Sequence, residues 1–156
     1  MEKECADPIK DIKLNLKNRQ KAIDEYGYGP ANPNLENKSF WSKKAKMWKI
    51  SENEAKTMRC GNCAAFNVSP HTKKCIEKYL SDDPEATVEA GQLGYCQMLK
   101  FKCASKRTCD AWVVGGPIKD DKKSMADGGQ ISGKQPLVIV AALALITGGL
   151  YLLFRK

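Results

Sequence analysis

Cysteines and their spacing are the features of this sequence that can do chemistry. Six of the seven lie between residues 60 and 109, and the first two form the pair Cys60-Gly61-Asn62-Cys63. Two cysteines separated by two residues let one tight turn direct both sulfurs at a single metal centre. Gly61 and Asn62 are residue types that accept the backbone angles of such a turn. The spacing therefore predicts a metal site with thiolate ligands.

The neighbours of two later cysteines indicate which metal group fits. Four thiolates hold either one Zn²⁺ or a [4Fe–4S] cluster, and spacing alone seldom separates the two. Tyr95 directly precedes Cys96, and Trp112 follows Cys109 by three positions. Aromatic side chains that exclude water suit an iron–sulfur site, whose potential depends on solvent access. A zinc ribbon would offer two CxxC knuckles, whereas this chain has one.

Three short motifs together resemble the high-potential iron–sulfur proteins. The resemblance covers about a third of the chain and rests on Cys60-x-x-Cys63, Gly94-Tyr95-Cys96 and Cys109-x-x-Trp112. That family holds a cubane [4Fe–4S] cluster in a small, loop-rich fold lined by aromatic side chains, and it transfers single electrons. This chain differs in the longer gap between Cys63 and Cys96 and in its additional cysteines.

The resemblance implies a role for six residues. Four would be cluster ligands and two would be shielding aromatics: Cys60, Cys63, Cys96 and Cys109, with Tyr95 and Trp112. It also implies a redox partner and no catalysis, so we expect that the protein is not an enzyme. Zn²⁺ in place of the cluster is the alternative cofactor.

A second resemblance comes from three runs around the same cysteines. Residues 54–66, 100–103 and 107–109 are similar to small cysteine-rich proteins encoded by tailed bacteriophages. This resemblance implies a virion or phage-membrane protein with virion proteins as partners. In such a structural protein, a cluster, zinc or disulfides would only staple a small domain.

The other cysteines and the single histidine allow several interpretations. Cys75 and Cys103 could form a disulfide with each other, replace one of the four ligands, or be buried as small apolar residues. Cys5 lies near the N-terminus, where we expect no structural role. His71, in a loop flanked by proline, is expected to be an ordinary surface histidine.

A third hypothesis is a thiol enzyme that uses Cys60 and Cys63 as a dithiol. A CxxC motif near a βαβ pattern would favour it, but no such pattern is visible in the sequence. A Walker loop, a dinucleotide fingerprint, an HExxH motif and a serine triad motif are also missing from the sequence.

The charge distribution argues against nucleic-acid binding, although the composition is basic. The net charge is +8, and lysines are interspersed with acidic residues, so no basic stripe is evident. No apolar stretch follows the charged residues 1–10, so no export signal is predicted. We therefore expect a reducing compartment, in which clustered cysteines indicate metal ligands in preference to disulfides.

Elements that would position the cysteines can be read from periodicity and caps. Apolar positions predict one helix from about residue 7 to Tyr26, ended by Gly27, and a second helix spans residues 39–50. Ser51 and Glu54 form a capping box that starts a short helix leading to Cys60. Residues 94–101 are predicted to be a strand or a hairpin arm.

The C-terminal tail has the composition of a membrane span. Residues 137–154 carry no charge, and about 1.5 Å per residue gives a helix of roughly 27 Å, near the thickness of the bilayer core. We expect a single-pass membrane protein anchored by this helix.

The complete expectation is a small, mostly α, loop-rich domain stapled by an iron–sulfur cluster, plus one C-terminal transmembrane helix. Four regions are predicted: an N-terminal helical region at 1–50, a cysteine-rich cluster domain at 51–118, a flexible linker at 119–135 and a transmembrane tail at 136–156.

Overall fold

The structure, a computed structural model, describes residues 4–80 and 91–122. These residues form five α-helices, a three-stranded antiparallel sheet and one 3-10 turn. The helices are α1 Asp7–Lys10, α2 Ile12–Tyr26, α3 Lys38–Trp48, α4 Glu52–Thr57 and α5 Pro70–Lys78. The strands are β1 Phe66–Asn67, β2 Leu93–Cys96 and β3 Phe101–Ala104, and the 3-10 turn is Cys60–Asn62.

The predicted N-terminal helix is interrupted at Asp11. Its carboxylate accepts hydrogen bonds from the backbone N–H groups of Lys13 and Leu14, at 2.8 and 3.1 Å, and so caps α2. An aspartate that satisfies these donors favours a new helix start over continuation of α1. The predicted end is confirmed, because Gly27 adopts the left-handed conformation with φ 54°.

Helices α3 and α4 pack together over a small aromatic cluster. The predicted capping box is confirmed: Ser51 accepts a hydrogen bond from the Glu54 N–H, and the Glu54 carboxylate accepts one from the Ser51 N–H. Trp41 is buried, and the Arg59 guanidinium lies 4.3 Å from the centre of its ring. Because Arg59 directly precedes Cys60, this contact ties the helix pair to the first cysteine.

The sheet has strand order β1-β2-β3, and its two faces carry different chemistry. Cross-strand pairs place Phe66 opposite Cys96, Cys96 opposite Phe101, and Gly94 opposite Cys103. These residues share one face because side chains alternate along a strand. Tyr95 therefore projects to the other face.

Two apolar cores follow from these two faces. The larger contains five cysteines together with Phe66 and Phe101, and it includes Ala22 and Tyr28 from the N-terminal region. The smaller contains Ile9, Cys75, Ile76 and Tyr95. Residues on both sides of the predicted boundary at residue 50 thus share one core, so the N-terminal helices help to build the surroundings of the cysteines.

No helix among residues 4–80 and 91–122 is long and apolar enough to cross a membrane. The predicted span at 137–154 and most of the predicted linker lie outside the described residues.

Candidate functional site: a cysteine-lined apolar cavity

The structure brings the four sequence-predicted ligands to one cavity. Five cysteines line it, and all are free thiols: Cys60, Cys63, Cys96, Cys103 and Cys109. In the part of the chain that the structure describes, the other residues that line the cavity are apolar: Ala65, Phe66, Met98, Leu99, Ala111 and Trp112. Each of the five thiols is buried. The cavity is therefore an apolar site whose available metal donors, among the lining residues, are sulfur atoms.

The Cys60–Asn62 turn is held against the chain that leads to Cys109. The Cys60 N–H donates to the Arg107 carbonyl at 2.6 Å, and the Gly61 N–H donates to the Ser105 carbonyl at 2.9 Å. A Cβ on Gly61 would lie 3.2 Å from the Ser105 Cβ, so glycine permits this close approach. The backbone thereby fixes two parts of the site relative to each other.

Asn62 organises the CxxC turn and also orients Trp112. Its side-chain oxygen accepts from the Arg59 N–H and from the Trp112 indole N–H, both at 3.0 Å. Its amide donates to the Thr57 carbonyl at 2.7 Å. Because the indole N–H has hydrogen-bond partners, the ring can lie against the cavity without burying an unpaired donor.

Backbone N–H groups point at two of the cavity sulfurs. The Leu99 N–H donates to Cys96 Sγ at 3.3 Å, and the Val113 N–H donates to Cys63 Sγ at 3.4 Å. Such bonds stabilise thiolates and are one of the means by which proteins set iron–sulfur potentials.

Electrostatics distinguish Cys96 from the other thiols. The side-chain hydrogen bond with Cys103 is the main cause that lowers the pKa of Cys96 to about 7; burial opposes this effect, and the N–H groups of Leu99 and Met98 support it. A thiol with this pKa is substantially ionised near neutral pH and is ready to bind a metal.

Burial acts in the opposite direction on other cavity thiols. It raises the pKa of Cys63, of Cys109 and of Cys103, which also forms side-chain hydrogen bonds with Cys60 and Cys96. A fully enclosed thiol with a raised pKa remains protonated, so Cys103 can donate its S–H to neighbouring sulfurs.

The cavity sulfurs surround a space; they do not converge on one point. Among the described residues, the one group of three or more metal-ligating side chains whose ligand atoms all lie within 4.8 Å of one another is Cys5, His71 and Cys75, which is elsewhere. A single tetrahedral Zn²⁺ with bonds of about 2.3 Å needs ligand sulfurs about 3.8 Å apart. A cubane has a different iron for each thiolate and needs a wider separation. The arrangement of the cavity sulfurs therefore does not match a single tetrahedral ion.

A buried ion pair supports the segment at Cys109. The Lys44 ammonium contacts the Asp110 carboxylate and donates to the Gly27 carbonyl at 2.9 Å. The Lys44 side chain is only 3% exposed, so its charge depends on these partners. Helix α3 is thus linked to the loop that carries the last predicted ligand.

The predicted shielding role of Tyr95 is not supported by its position. Trp112 lines the cavity, but Tyr95 lies on the opposite face of β2 and packs with Ile9 and Ile76 in the smaller core. The aromatic residue that takes its place is Phe66, which the sequence reasoning missed. Its ring atoms would lie 2.5 Å from a Cβ on Gly94, so the ring packs directly over this glycine, but no signal in the sequence links the two residues.

A disulfide between Cys75 and Cys103, one of the three possibilities that the sequence left open, is not formed. Cys75 forms a disulfide with Cys5, 70 positions earlier, and Cys103 is a free thiol in the cavity. Cys103 belongs to the cavity face of the sheet, whereas Cys75 packs with Tyr95 on the other face, so the sheet lies between them. Cys5, which we expected to have no structural role, is therefore part of a cross-link.

Comparisons with protein-family models, with curated proteins and with solved structures found no match to this chain. The resemblances to high-potential iron–sulfur proteins and to phage proteins rest on the quoted residues alone.

Proposed function

We propose that this protein binds a [4Fe–4S] cluster through Cys60, Cys63, Cys96 and Cys109 and that it transfers single electrons. The observation that carries the proposal is the cavity itself. Its sulfurs are too dispersed for a single tetrahedral ion, and the remaining lining residues described are apolar. A cluster is a one-electron redox group, and its potential responds to burial and to hydrogen bonds on its sulfurs.

The residues of the chain would tune such a group in three ways. Phe66 and Trp112 exclude water from the cavity, and the N–H groups of Leu99 and Val113 donate to two sulfurs. Cys103, the fifth thiol, offers an S–H donor between Cys60 and Cys96. These donors stabilise negative charge on the sulfurs. The reduced cluster carries one more negative charge than the oxidised cluster, so the donors favour the reduced state.

The first experiment measures iron and acid-labile sulfide in the full chain after anaerobic purification and reconstitution. We expect about four of each per chain, with a broad visible absorption band. Cys60→Ser and Cys109→Ser should each lose most of the iron. Cys75→Ser is the matched control, because this residue lies outside the cavity, and it should retain the iron content of the wild type.

The electron-transfer part needs a separate measurement. Voltammetry of the reconstituted protein should give a reversible one-electron wave, and Cys103→Ala should shift its potential without loss of iron. If the protein instead contains one zinc per chain and no sulfide, the cluster proposal is wrong and the cavity is a structural metal site.

A structural role for the same cavity is the second candidate function. Small side chains and thiols make up much of the larger core, including Ala22, Ala64 and Ala65, so a bound group would complete its packing. If the protein binds a cluster that gives no reversible voltammetric wave, a structural role is favoured over electron transfer. The membrane, redox-partner and virion expectations stay predictions.

A further inference from the structure

A second group of metal-binding donors lies on the other side of the sheet. It consists of Cys5, Cys75 and His71, and their ligand atoms all lie within 4.8 Å of one another. His71 and Cys75 are four residues apart on α5, so they share one face of the helix. The His71 Nε2 lies 3.5 Å from Cys75 Sγ, and Cys5 closes the group through its disulfide to Cys75.

This histidine is held in place from its backbone and from its ring. The Asp121 carboxylate accepts the His71 backbone N–H at 3.1 Å, at the first turn of α5. On the ring, Nε2 lies 3.3 Å from the Glu4 carbonyl oxygen and close to the disulfide sulfur. An imidazole fixed beside two sulfurs is preorganised as a third donor, because little side-chain freedom remains to be lost on binding.

The surroundings leave room for a fourth ligand. The three donors border an open pocket of about 370 Å³, whose other lining residues are Glu4, Lys10, Lys74, Lys78 and Tyr79. Two thiolates, one imidazole and one solvent position are a known donor set for tetrahedral zinc. The three lysines favour the thiolate form of reduced cysteines, because nearby positive charge stabilises the anion.

We propose that Cys5, His71 and Cys75 form a redox-gated zinc site. In the oxidised protein the S–S bond occupies both sulfurs, and no metal binds. A dithiol reductant supplies two electrons and two protons: the S–S bond breaks, two thiols form, and the reductant becomes a cyclic disulfide. Zn²⁺ then displaces the two thiol protons and binds both sulfurs and a His71 ring nitrogen, with solvent in the fourth position.

Cobalt binding to the full chain tests this proposal. The protein is compared as isolated and after reduction with a dithiol that is then removed anaerobically. Co²⁺ is the probe, because its visible absorption reports tetrahedral thiolate coordination, and Zn²⁺ should displace it. We expect the reduced wild type to bind one more Co²⁺ per chain than the oxidised form.

Two variants show whether the additional Co²⁺ binds at the proposed site or at other thiols of the reduced protein. His71→Asn keeps the disulfide, so its five free thiols before reduction should match the wild type. After reduction it should bind the additional Co²⁺ at least about tenfold more weakly, since even losing a partner of a ligand costs about 10- to 100-fold. Lys74→Gln, in the same pocket without loss of a donor, should bind within a few-fold of the wild type.

Equal Co²⁺ binding by the oxidised and reduced wild type would overturn the proposal, as would unchanged affinity in His71→Asn. Cavity thiols contribute equally to the wild type and to His71→Asn, so they cannot imitate the expected difference. The four proposed cluster ligands take no part in this site, and its failure would leave the cluster proposal untouched.

Discussion

The two faces of one short sheet carry two kinds of sulfur chemistry. On the cavity face, five free thiols surround an apolar space, and no three of them approach within the 4.8 Å that defines the group on the other face. On that other face, two sulfurs and one imidazole converge beside an open pocket lined by lysines. The comparison shows that donor separation and water access, more than cysteine count, decide what a cysteine group can bind.

The cavity side should depend most on its buried ion pair. Asp110→Ala would leave the buried Lys44 ammonium without its anion, and we expect a loss of about 3–5 kcal/mol in the free energy of unfolding. Urea denaturation followed by far-UV circular dichroism measures it. Asp7→Ala is the matched control, since this carboxylate pairs with Lys10 and is 80% exposed. It should leave the midpoint nearly unchanged, and equal effects of the two variants would contradict the comparison.

Removal of the Cys5–Cys75 cross-link should have the next largest effect. Its closed loop is long, with a sequence separation of 70, so the double variant Cys5→Ala/Cys75→Ala should lose about 2–4 kcal/mol of stability. Denaturant unfolding of the oxidised proteins measures this difference. Iron content after reconstitution should stay at the wild-type level, and loss of iron would mean that the two faces are not independent.

Gly94→Ala should test the packing of Phe66 against β2. The new methyl group would lie 2.5 Å from the ring and 3.0 Å from the Asn67 carbonyl oxygen, so the strand or the ring must move. Overpacking of this kind costs about 1–3 kcal/mol. Adding Phe66→Leu should recover part of that loss, because less of the ring remains to be displaced. Strictly additive effects in the double-mutant cycle would show that the two positions are not coupled.

Trp112→Phe should have the smallest effect of the four. It removes the indole N–H that donates to the Arg59 carbonyl and to Asn62, at a cost of about 0.5–1.5 kcal/mol, while an aromatic ring still borders the cavity. Thermal unfolding detects a change of this size. If the reconstituted variant also loses iron, Trp112 acts on the site beyond its hydrogen bonds.

Local signals in the sequence were sufficient for several elements of the fold. Gly27 ends a helix and the Ser51 capping box starts one, because each depends on backbone groups within a few residues. Asp11 is also a local signal, and the continuous apolar stripe concealed it: the carboxylate competes for the same N–H groups that a longer helix would use.

The aromatic lining of the cavity was predicted in part, and the error has a simple geometric cause. Tyr95 and Cys96 are adjacent on a strand, so they cannot face the same side. Treating residues 93–96 firmly as a strand would have removed Tyr95 from the cavity. Phe66 could not be assigned from its neighbours, since only the antiparallel pairing with Cys96 brings it to the site.

The disulfide could not be predicted from the sequence, for a different reason. Cys5 and Cys75 meet because α1 and α5 pack on the same face of the sheet around Ile9 and Tyr95. A contact between residues 70 positions apart depends on the whole topology, and no pattern near either cysteine indicates it.

The adjacency of Tyr95 and Cys96 makes the register of β2 a chemical property of this protein. A slip of the whole strand by one residue against β1 and β3 would exchange its two faces. Cys96 would then point toward the histidine and the cross-link, and a phenol would enter the sulfur cavity. A slip of one residue would therefore alter which chemistry each face performs, although the sequence would be unchanged.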